Sequence, residues 1–409
     1  MEREELGSWL RLTLTPGVGN DAARKLLTAF GLPDAVFQQS TAALLQVVAP
    51  AQALALRAEP PAWAALLDLT WTWLQDAGES GVQRHIVVLG DADYPASLLD
   101  IDDPPLMLYL LGTGIFTSNP DPAHVDKAEV ATSLVANSLA DRLAHSIAVV
   151  GSRNPTPQGA ANARQFSKAL GLAGLTVVSG LALGVDGAAH EGALESVGAA
   201  SNRLATVAVV GTGLDRVYPK SHLELARRIA QNGLLVSEYP LGTPPLAANF
   251  PKRNRIIAGL AQGTLVIEAA LKSGSLITAR LSAEQGKDVF AIPGSIHSTQ
   301  ARGCHSLIKQ GAKLVESAQD VLEEMKIDLA SAFAPDSIAV GADKEWADTL
   351  FDTDKTLLQA IGFDPVGLDA LQARCSLDTA HLQAQLMALE LDGLVARLPG
   401  GLFQRMTAV

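Results

Sequence analysis

Seven short apolar runs between Ser146 and Val315 limit what this chain can fold into. They are Ile147–Val150, Thr176–Ser179, Thr206–Val210, Leu234–Ser237, Leu265–Ile267, Val289–Ile292 and Lys313–Val315. The runs are mostly unbroken Val, Ile and Leu rather than alternating apolar and polar. That pattern belongs to strands covered on both faces, as in a parallel sheet. Segments of about ten to fifteen residues with helical character fall between most of them. The expected fold is therefore α/β, a doubly wound Rossmann-like parallel sheet.

The flanks read differently. Residues 1 to 80 predict small helices: Leu6–Leu14, Asp21–Phe30, a start at Asp34 or Thr41, and Pro61–Leu74. Between the first two lies Thr15-Pro16-Gly17-Val18-Gly19-Asn20. This turn fits a helix-hairpin-helix (SAM-like) element, whose backbone amides can hold a DNA phosphate, and fits equally a Pro-Gly hairpin that only packs two helices. Ile86–Leu89 and Leu106–Leu111 predict two strands ahead of the main pattern. Residues 117–144 are polar and Ala-rich and read as an insertion or surface helix. Residues 321–350 form an acidic linker. Beyond it, Lys355–Ile361, Val366–Gln372 and Asp378–Leu391 predict three helices, followed by strands at Leu394–Leu398 and Leu402–Arg405 around Pro399-Gly400-Gly401. That is the order of a winged helix. Its third helix, the usual DNA reader, contains no Lys or Arg. The expected domains are thus 1–80, 84–320 and 351–409, with the linker at 321–350.

A net charge of −12 argues against nucleic acid until it is divided along the chain. Residues 145–320 hold 17 Lys and Arg against 11 Asp and Glu, a balance of +6, and the remainder carries −18. Binding follows the local patch, so a basic middle between acidic ends suits a polyanion held at one place. The acidic opening Met-Glu-Arg-Glu-Glu does not resemble a signal peptide, and no apolar run reaches the length of a membrane span. A cytoplasmic protein is expected. Cys304 and Cys375 are the two cysteines, too few and too far apart for a disulfide framework or a metal site. No cofactor is expected.

The chemistry gathers in the turns after the strands, where open α/β sheets bind ligands. The first turn is Gly151-Ser152-Arg153-Asn154. Its glycine allows close backbone approach, Ser152 offers a hydroxyl, and Arg153 can fork onto a phosphate. The second runs from Ser179-Gly180 to Gly184-Val185-Asp186 and opens a helix carrying His190. The third is Gly211-Thr212-Gly213-Leu214-Asp215, followed by Tyr218-Pro219-Lys220. The fifth is Ala270-Leu271-Lys272-Ser273-Gly274-Ser275, leading to Thr278 and Arg280. Among them stands Asn249-Phe250-Pro251-Lys252-Arg253-Asn254-Arg255, with three cations within four residues beside an aromatic ring. Cations at a helix start oppose the helix dipole unless an anion is bound there. No dinucleotide fingerprint is complete, since position 216 is Arg where a third glycine belongs, and no Walker A lysine motif is present. Asp186 and His190, four residues apart, read as a helix-capping Asp and a packed His, with catalysis or a metal as the alternative. Glu268 at a strand end reads as an anchor for neighbouring amides, with a catalytic carboxylate as the alternative.

Five segments in this order, VVGSRNPTPQG, VVSGLALGVDGAAHEGAL, VAVVGTGLDRVYPK, SEYPLGTPPLAANFPKRNRIIAGLA and VIEAALKSGSLITARLSAEQGKDVFAIPG, closely resemble the DNA-processing protein DprA (Smf) family over about residues 84 to 320. The resemblance implies a single-stranded-DNA-binding protein of natural transformation. Such a protein dimerises through its α/β domain, shields incoming strands and loads the recombinase RecA, with no catalytic step. By motif match it implies DNA contacts at Ser152, Arg153, Gly180, Phe250, Lys252, Arg253, Asn254 and Arg255, and also at Lys220, Ser273, Gly274 and Ser275. The 117–144 segment has no counterpart in the family pattern. The competing expectation is a nucleotide-binding Rossmann enzyme of the phosphoribohydrolase type. Its Pro-Gly-Gly-x-Gly-Thr loop would correspond to Ala261–Glu268, which lacks the proline and the paired glycines.

Overall fold

The computed structural model describes residues 1–76, 81–113, 139–198, 203–326, 352–375 and 377–406. Most of the segment 117–144 and most of the linker expected at 321–350 lie outside these residues.

The chain opens with helices α1 (Arg3–Leu14), α2 (Asn20–Phe30), α3 (Pro33–Gln38), α4 (Thr41–Leu44), α5 (Pro50–Ala55) and α6 (Trp63–Gln75). Leu6, Trp9, Leu10 and Leu26 point inward and are fully or almost fully buried. The hairpin between α1 and α2 is used internally. Gly17 takes a positive φ of 78° and its carbonyl accepts a 2.7 Å bond from Gln52 of α5. Just beyond it, Asn20 and Arg24 donate to Asp103 at 3.1 and 2.7 Å, which ties the helical module to the α/β body. Among the described contacts, the hairpin packs helices together.

The main sheet has nine strands: β1 (Val82–Val88), β2 (Met107–Thr113), β3 (Ser146–Val150), β4 (Thr176–Ser179), β5 (Thr206–Val209), β6 (Leu234–Ser237), β7 (Gly263–Val266), β8 (Asp288–Ala291) and β9 (Lys313–Leu314). Their spatial order is β1-β2-β6-β5-β4-β3-β7-β8-β9. Strands β3 to β9 are parallel, as the unbroken apolar runs require. The two early strands add as an antiparallel extension, β2 pairing with β6 from Tyr109–Ser237 to Gly112–Leu234.

Helices α8 (Pro157–Leu172), α9 (Val185–Glu195) and α10 (Leu223–Asn232) cover one face, following a short α7 (Leu139–Leu143). Helices α11 (Asn249–Leu260) and α12 (Ser275–Glu284) cover the other. Alternate residues of one strand serve the two faces. Ile147 and Val149 of β3 pack with Phe166 of α8 and Ala189 of α9, whereas Ala148 and Val150 pack with Ile256 and Ile257 of α11 and Ala279 of α12. Each fully buried Val, Ile or Phe among these contributes about 1.5–3 kcal/mol. Helices α13 (Arg302–Lys309) and α14 (Ala318–Glu324) complete the body.

The chain winds outward from β3 through β4 and β5 to β6. It then returns along α11 to β7, beside β3 on its other side. The crevice between the carboxyl ends of β3 and β7 is the topological switch point, where sheets of this kind bind ligands.

A separate core lies in the C-terminal module. Here α15 (Asp352–Ile361), α16 (Leu368–Cys375) and α17 (Thr379–Leu391) pack on strands β10 (Val366–Gly367), β11 (Val395–Leu398) and β12 (Leu402–Arg405), arranged β10-β12-β11. The helix expected at Val366–Gln372 therefore begins only at Leu368. Its first two residues pair with Leu402 and Phe403 as a third strand. Two residues are too few to show a period of two.

Candidate nucleic-acid interface

A cavity of about 690 Å³ occupies the switch point. The first turn (Gly151 to Asn154), the turn after β7 (Ala270, Lys272 to Ser275), the start of α11 and Tyr218 all line it. Local packing explains how these pieces come so close. A Cβ at Gly151 would lie 2.7 Å from Val185 and 2.9 Å from the Glu268 carbonyl, so only glycine lets the β3 turn nest between α9 and β7. Ser152 is buried; its Oγ accepts from Asn154 N at 3.1 Å, and its carbonyl accepts from Val185 N.

Helix α11 enters between two other turns. Asn249 donates to the Gly211 carbonyl at 3.0 Å, and Asn254 donates to the Gly274 carbonyl at 3.2 Å. These bonds fix the helix start against the crossover turns on either side. They also aim Phe250 at the cavity wall, with its ring centroid 5.5 Å from that of Tyr218 and the Arg153 guanidinium 5.6 Å from its centre. An aromatic pair with a guanidinium stacked on it offers flat faces to an unpaired base and charge to its phosphate.

The three cations of the 252–255 run do not share a surface. Successive helical residues point about 100° apart, so a run of cations on a helix must diverge. Lys252 is exposed. Arg253, only 4% exposed, turns down under the cavity and donates to the carbonyls of Gly180 and Val209 and, at 3.1 Å, to Asn254. Its guanidinium lies 3.9 Å from the buried Asp186 carboxylate. Burial raises the Asp186 pKa, with Arg253 opposing, and burial likewise lowers that of Arg253. Arg255 turns away to a buried cluster, paired with Glu238 and, at 3.3 Å, with Asp103. Direct phosphate contact by all three, expected from the sequence, is replaced by one exposed lysine, one cation lining the cavity from below and one structural ion pair.

Gly180 does not line the cavity. Its place is explained by Arg253, because a Cβ there would fall on the guanidinium. Ser273, Gly274 and Ser275 do line it, with Ser273 and Ser275 hydroxyls bonded at 2.7 Å. Lys220 is exposed at the start of a short 3₁₀ turn outside the lining. The third turn is closed, since Gly213 N donates to the Thr243 carbonyl and Asp215 accepts from Gly242 N at 2.8 Å. Asn154, Asp186, Tyr218, Lys272, Thr278 and Gln300 join the lining without having been assigned as site residues. All but Gln300 stand in or beside the turns that the sequence marks. Gln300 approaches from a distant loop, donating to the Asn154 carbonyl at 3.2 Å, and carries no local signal.

Four exposed cations, Arg153, Lys220, Lys252 and Lys272, lie in or near this region, and none forms an ion pair with an acid among the described residues. Glu268 faces elsewhere. It accepts from Thr156 N at 2.9 Å and from Thr156 Oγ1 at 2.6 Å, below the start of α8, where a Cβ on Gly159 would meet its carboxylate. Burial raises its pKa and the Thr156 bonds oppose that rise. This is the anchoring role. Asp186 accepts from Ala182 N at 3.3 Å and so closes the loop before α9, and His190 is packed inside at 0% exposure.

Comparison with known proteins gives the lineage. The DNA recombination-mediator protein A family matches residues 133–326, and the DprA winged helix domain matches residues 342–401. Protein Smf of Escherichia coli is 43% identical over 257 residues, 62% of this chain and 66% of that protein. Protein Smf of Synechocystis is 36% identical over 339 residues, 77% of this chain and 78% of its relative. The chain belongs to the DprA (Smf) family of DNA-processing proteins. The crystal structure of DNA processing protein A from Streptococcus pneumoniae aligns with a TM-score of 0.60 at 34% identity, covering 79% of this chain and 98% of that one. The family's Rossmann-like sheet and winged helix are therefore both present. The winged helix departs from a duplex reader, since α17 holds no Lys or Arg. No helix among the described residues is long and apolar enough to cross a membrane.

Proposed function

We propose that this chain binds single-stranded DNA, without sequence preference, across the switch-point cavity. The observation that carries the reading is the Arg153–Phe250–Tyr218 cluster at the cavity wall, with Lys272 also lining the cavity and Lys252 exposed in the same turn of α11 as Phe250. Arg and Lys neutralise phosphates, the aromatic faces accept any base, and nothing in the lining is arranged as a code. In this reading Ser152, Ser273, Gly274 and Ser275 hold the backbone, while Arg253, Asn254 and Gly180 hold the cavity in shape.

The wider role follows from the family. The protein shields strands taken up in natural transformation, loads RecA onto them, works in the cytoplasm as a homodimer through its α/β domain, and is organised as domains 1–80, 84–320 and 351–409. It is a binding protein rather than an enzyme. A phosphoribohydrolase needs its carboxylate in the cleft, and Glu268 is instead held by Thr156 away from the cavity lining.

The test is a fluorescence-anisotropy titration of labelled oligo-dT and of a duplex of equal length at several salt concentrations. Single strands should bind more tightly, and log K should fall against log salt by about 0.7 per phosphate neutralised. Equal affinity for duplex, or an Arg153→Ala variant that stays folded and binds unchanged, would refute the reading. Base released from nucleotides by the wild type but not by Glu268→Gln would favour the enzyme.

A further inference from the structure

The third helix of the winged-helix module has two apolar faces, and the fold uses one. Leu382, Leu386 and Leu389 of α17 are buried in the module's core. On the opposite side, Ala380, Ala384, Met387, Ala388 and Leu391 are exposed, Met387 at 63% and Leu391 at 79%. At about 100° per residue these five fall within one stripe roughly 100° wide, diametrically across from the core leucines. A helix apolar on both sides is normally covered on both. The stripe has no charge on it, and the helix has no cation for a phosphate backbone, so DNA is not the cover.

The spacing says what is. Positions 380, 384, 387 and 391 repeat every four, three and four residues, the seam that lets one helix lie along another. Small residues stand at the amino end and large ones at the carboxyl end. If a second α17 is laid on the first in the reverse direction, Ala380 comes opposite Leu391 and Ala384 opposite Met387. Each large side chain then meets a small one along the whole seam. Laid parallel, leucine meets leucine and alanine meets alanine, so the spacing set by the large pair at one end leaves a gap at the other. The flanks agree with the reversed arrangement. His381 and Asp392 fall on one side of the seam at nearly the same level across the pair, Gln383 and Glu390 on the other, and no like charges are brought together.

We propose that α17 is a homotypic docking surface, pairing antiparallel with α17 of a second copy of this chain. A seam of one helix is shorter than a stable free-standing interface needs, about 1,200–2,000 Å² in total. Its work is to join copies already brought near one another, where a weak contact gains from effective concentration. The interface lies on the C-terminal module, and the nearness of the copies rests on the homodimer through the α/β domain proposed above.

The test places cysteines on the seam in the full-length chain. Ala384→Cys with Met387→Cys, on a Cys375→Ala background, is concentrated, oxidised mildly and run on a non-reducing gel. Pairing of 384 with 387 across the seam should give a covalent dimer. Adding Leu391→Glu at this exposed position, with circular dichroism measured to check that the fold is kept, should reduce that product about tenfold or more. Cysteines placed instead at Arg374 and Arg397, off the seam, should give little product. Absence of the dimer while both thiols remain titratable, equal product from the off-seam pair, or a yield unmoved by Leu391→Glu would each overturn the proposal.

Discussion

The switch-point cavity and the third winged-helix helix are both places where their folds commonly hold nucleic acid, and this chain has equipped them oppositely. At the cavity, exposed cations surround a tilted pair of rings and form no ion pair with an acid among the described residues. On α17 the exposed face carries alanine, methionine and leucine. Fold alone would have given both the same role, so it is the side chains on each that separate the proposed polyanion site from the proposed protein-docking one.

The first way to break this comparison is to remove what keeps the cavity in shape. Arg253→Ala should cost about 3–5 kcal/mol, because it leaves the Asp186 carboxylate buried without its cation and two carbonyls without their donor. Urea denaturation of the α/β core would show it, and Gly180→Ala should fall in the same direction by forcing the guanidinium aside. If Arg253→Ala lost oligo-dT affinity with stability unchanged, Arg253 would be a direct ligand instead, and its burial would have been misread.

Acid separates the two regions next. His190 of α9 is fully buried. Its Nδ1 donates to Thr206 Oγ1 at 2.7 Å, because that hydroxyl already donates to the Val177 carbonyl, and Nε2 has no partner among the described residues. Burial, aided by His222 and Arg253, pushes its pKa down to about 3 from 6.5. Below pH 6.5 the unfolded chain takes up a proton that the folded chain refuses. Stability should therefore fall as pH drops from 6.5 towards 3, by on the order of 5 kcal/mol across the full window. Denaturation midpoints of wild type and His190→Asn between pH 7 and 4 check this. Parallel curves would show that another group sets the acid limb.

The same contrast between buried and exposed charge marks how far the sequence could be read. The strands, their turns and the glycine-bearing loops were legible because periodicity and backbone freedom are local properties. Strand order was not, since nothing in β2 itself says that it will pair with β6. The two-residue β10 was read as the start of a helix for want of length. The run Lys252-Arg253-Asn254-Arg255 looked like one patch because charge is visible in a sequence and helical rotation relative to a sheet is not. Asp186, Asp103 and Glu238 decide where two of those cations point, and they come from the first turn of α9 and from two loops elsewhere in the chain. Gln300 entered the cavity lining by the same long-range route.

Arg153→Ala addresses the exposed half of the cavity. It removes one phosphate partner and the cation over Phe250, so oligo-dT affinity should drop by about tenfold with the salt slope shallower by about 0.7. Stability should hardly change, as Arg153 is exposed and forms no ion pair among the described residues. Lys252→Ala and Lys272→Ala should each have a smaller effect on affinity, with similar changes in slope. A Phe250→Leu variant tests the stack apart from the charge: affinity should fall while the slope stays constant. A slope that moved with Phe250→Leu would mean the ring positions Arg153 more than it meets a base.

The smallest effect is expected at the winged helix, and it sharpens the comparison most. Arg397 and Arg405 are the two cations of its hairpin, each held over a ring of its own module, Phe403 at 5.8 Å and Phe363 at 5.2 Å. The neighbouring α17 offers no Lys or Arg to extend a phosphate track. Changing both to Ala should leave oligo-dT affinity within about twofold and the salt slope unaltered, because a residue that neutralises no phosphate releases no counterion. A slope reduced by more than one unit would place the hairpin on the strand after all. The module would then hold DNA with its wing while α17 faces another protein surface, and the division of labour would run through the winged helix itself instead of between the two domains.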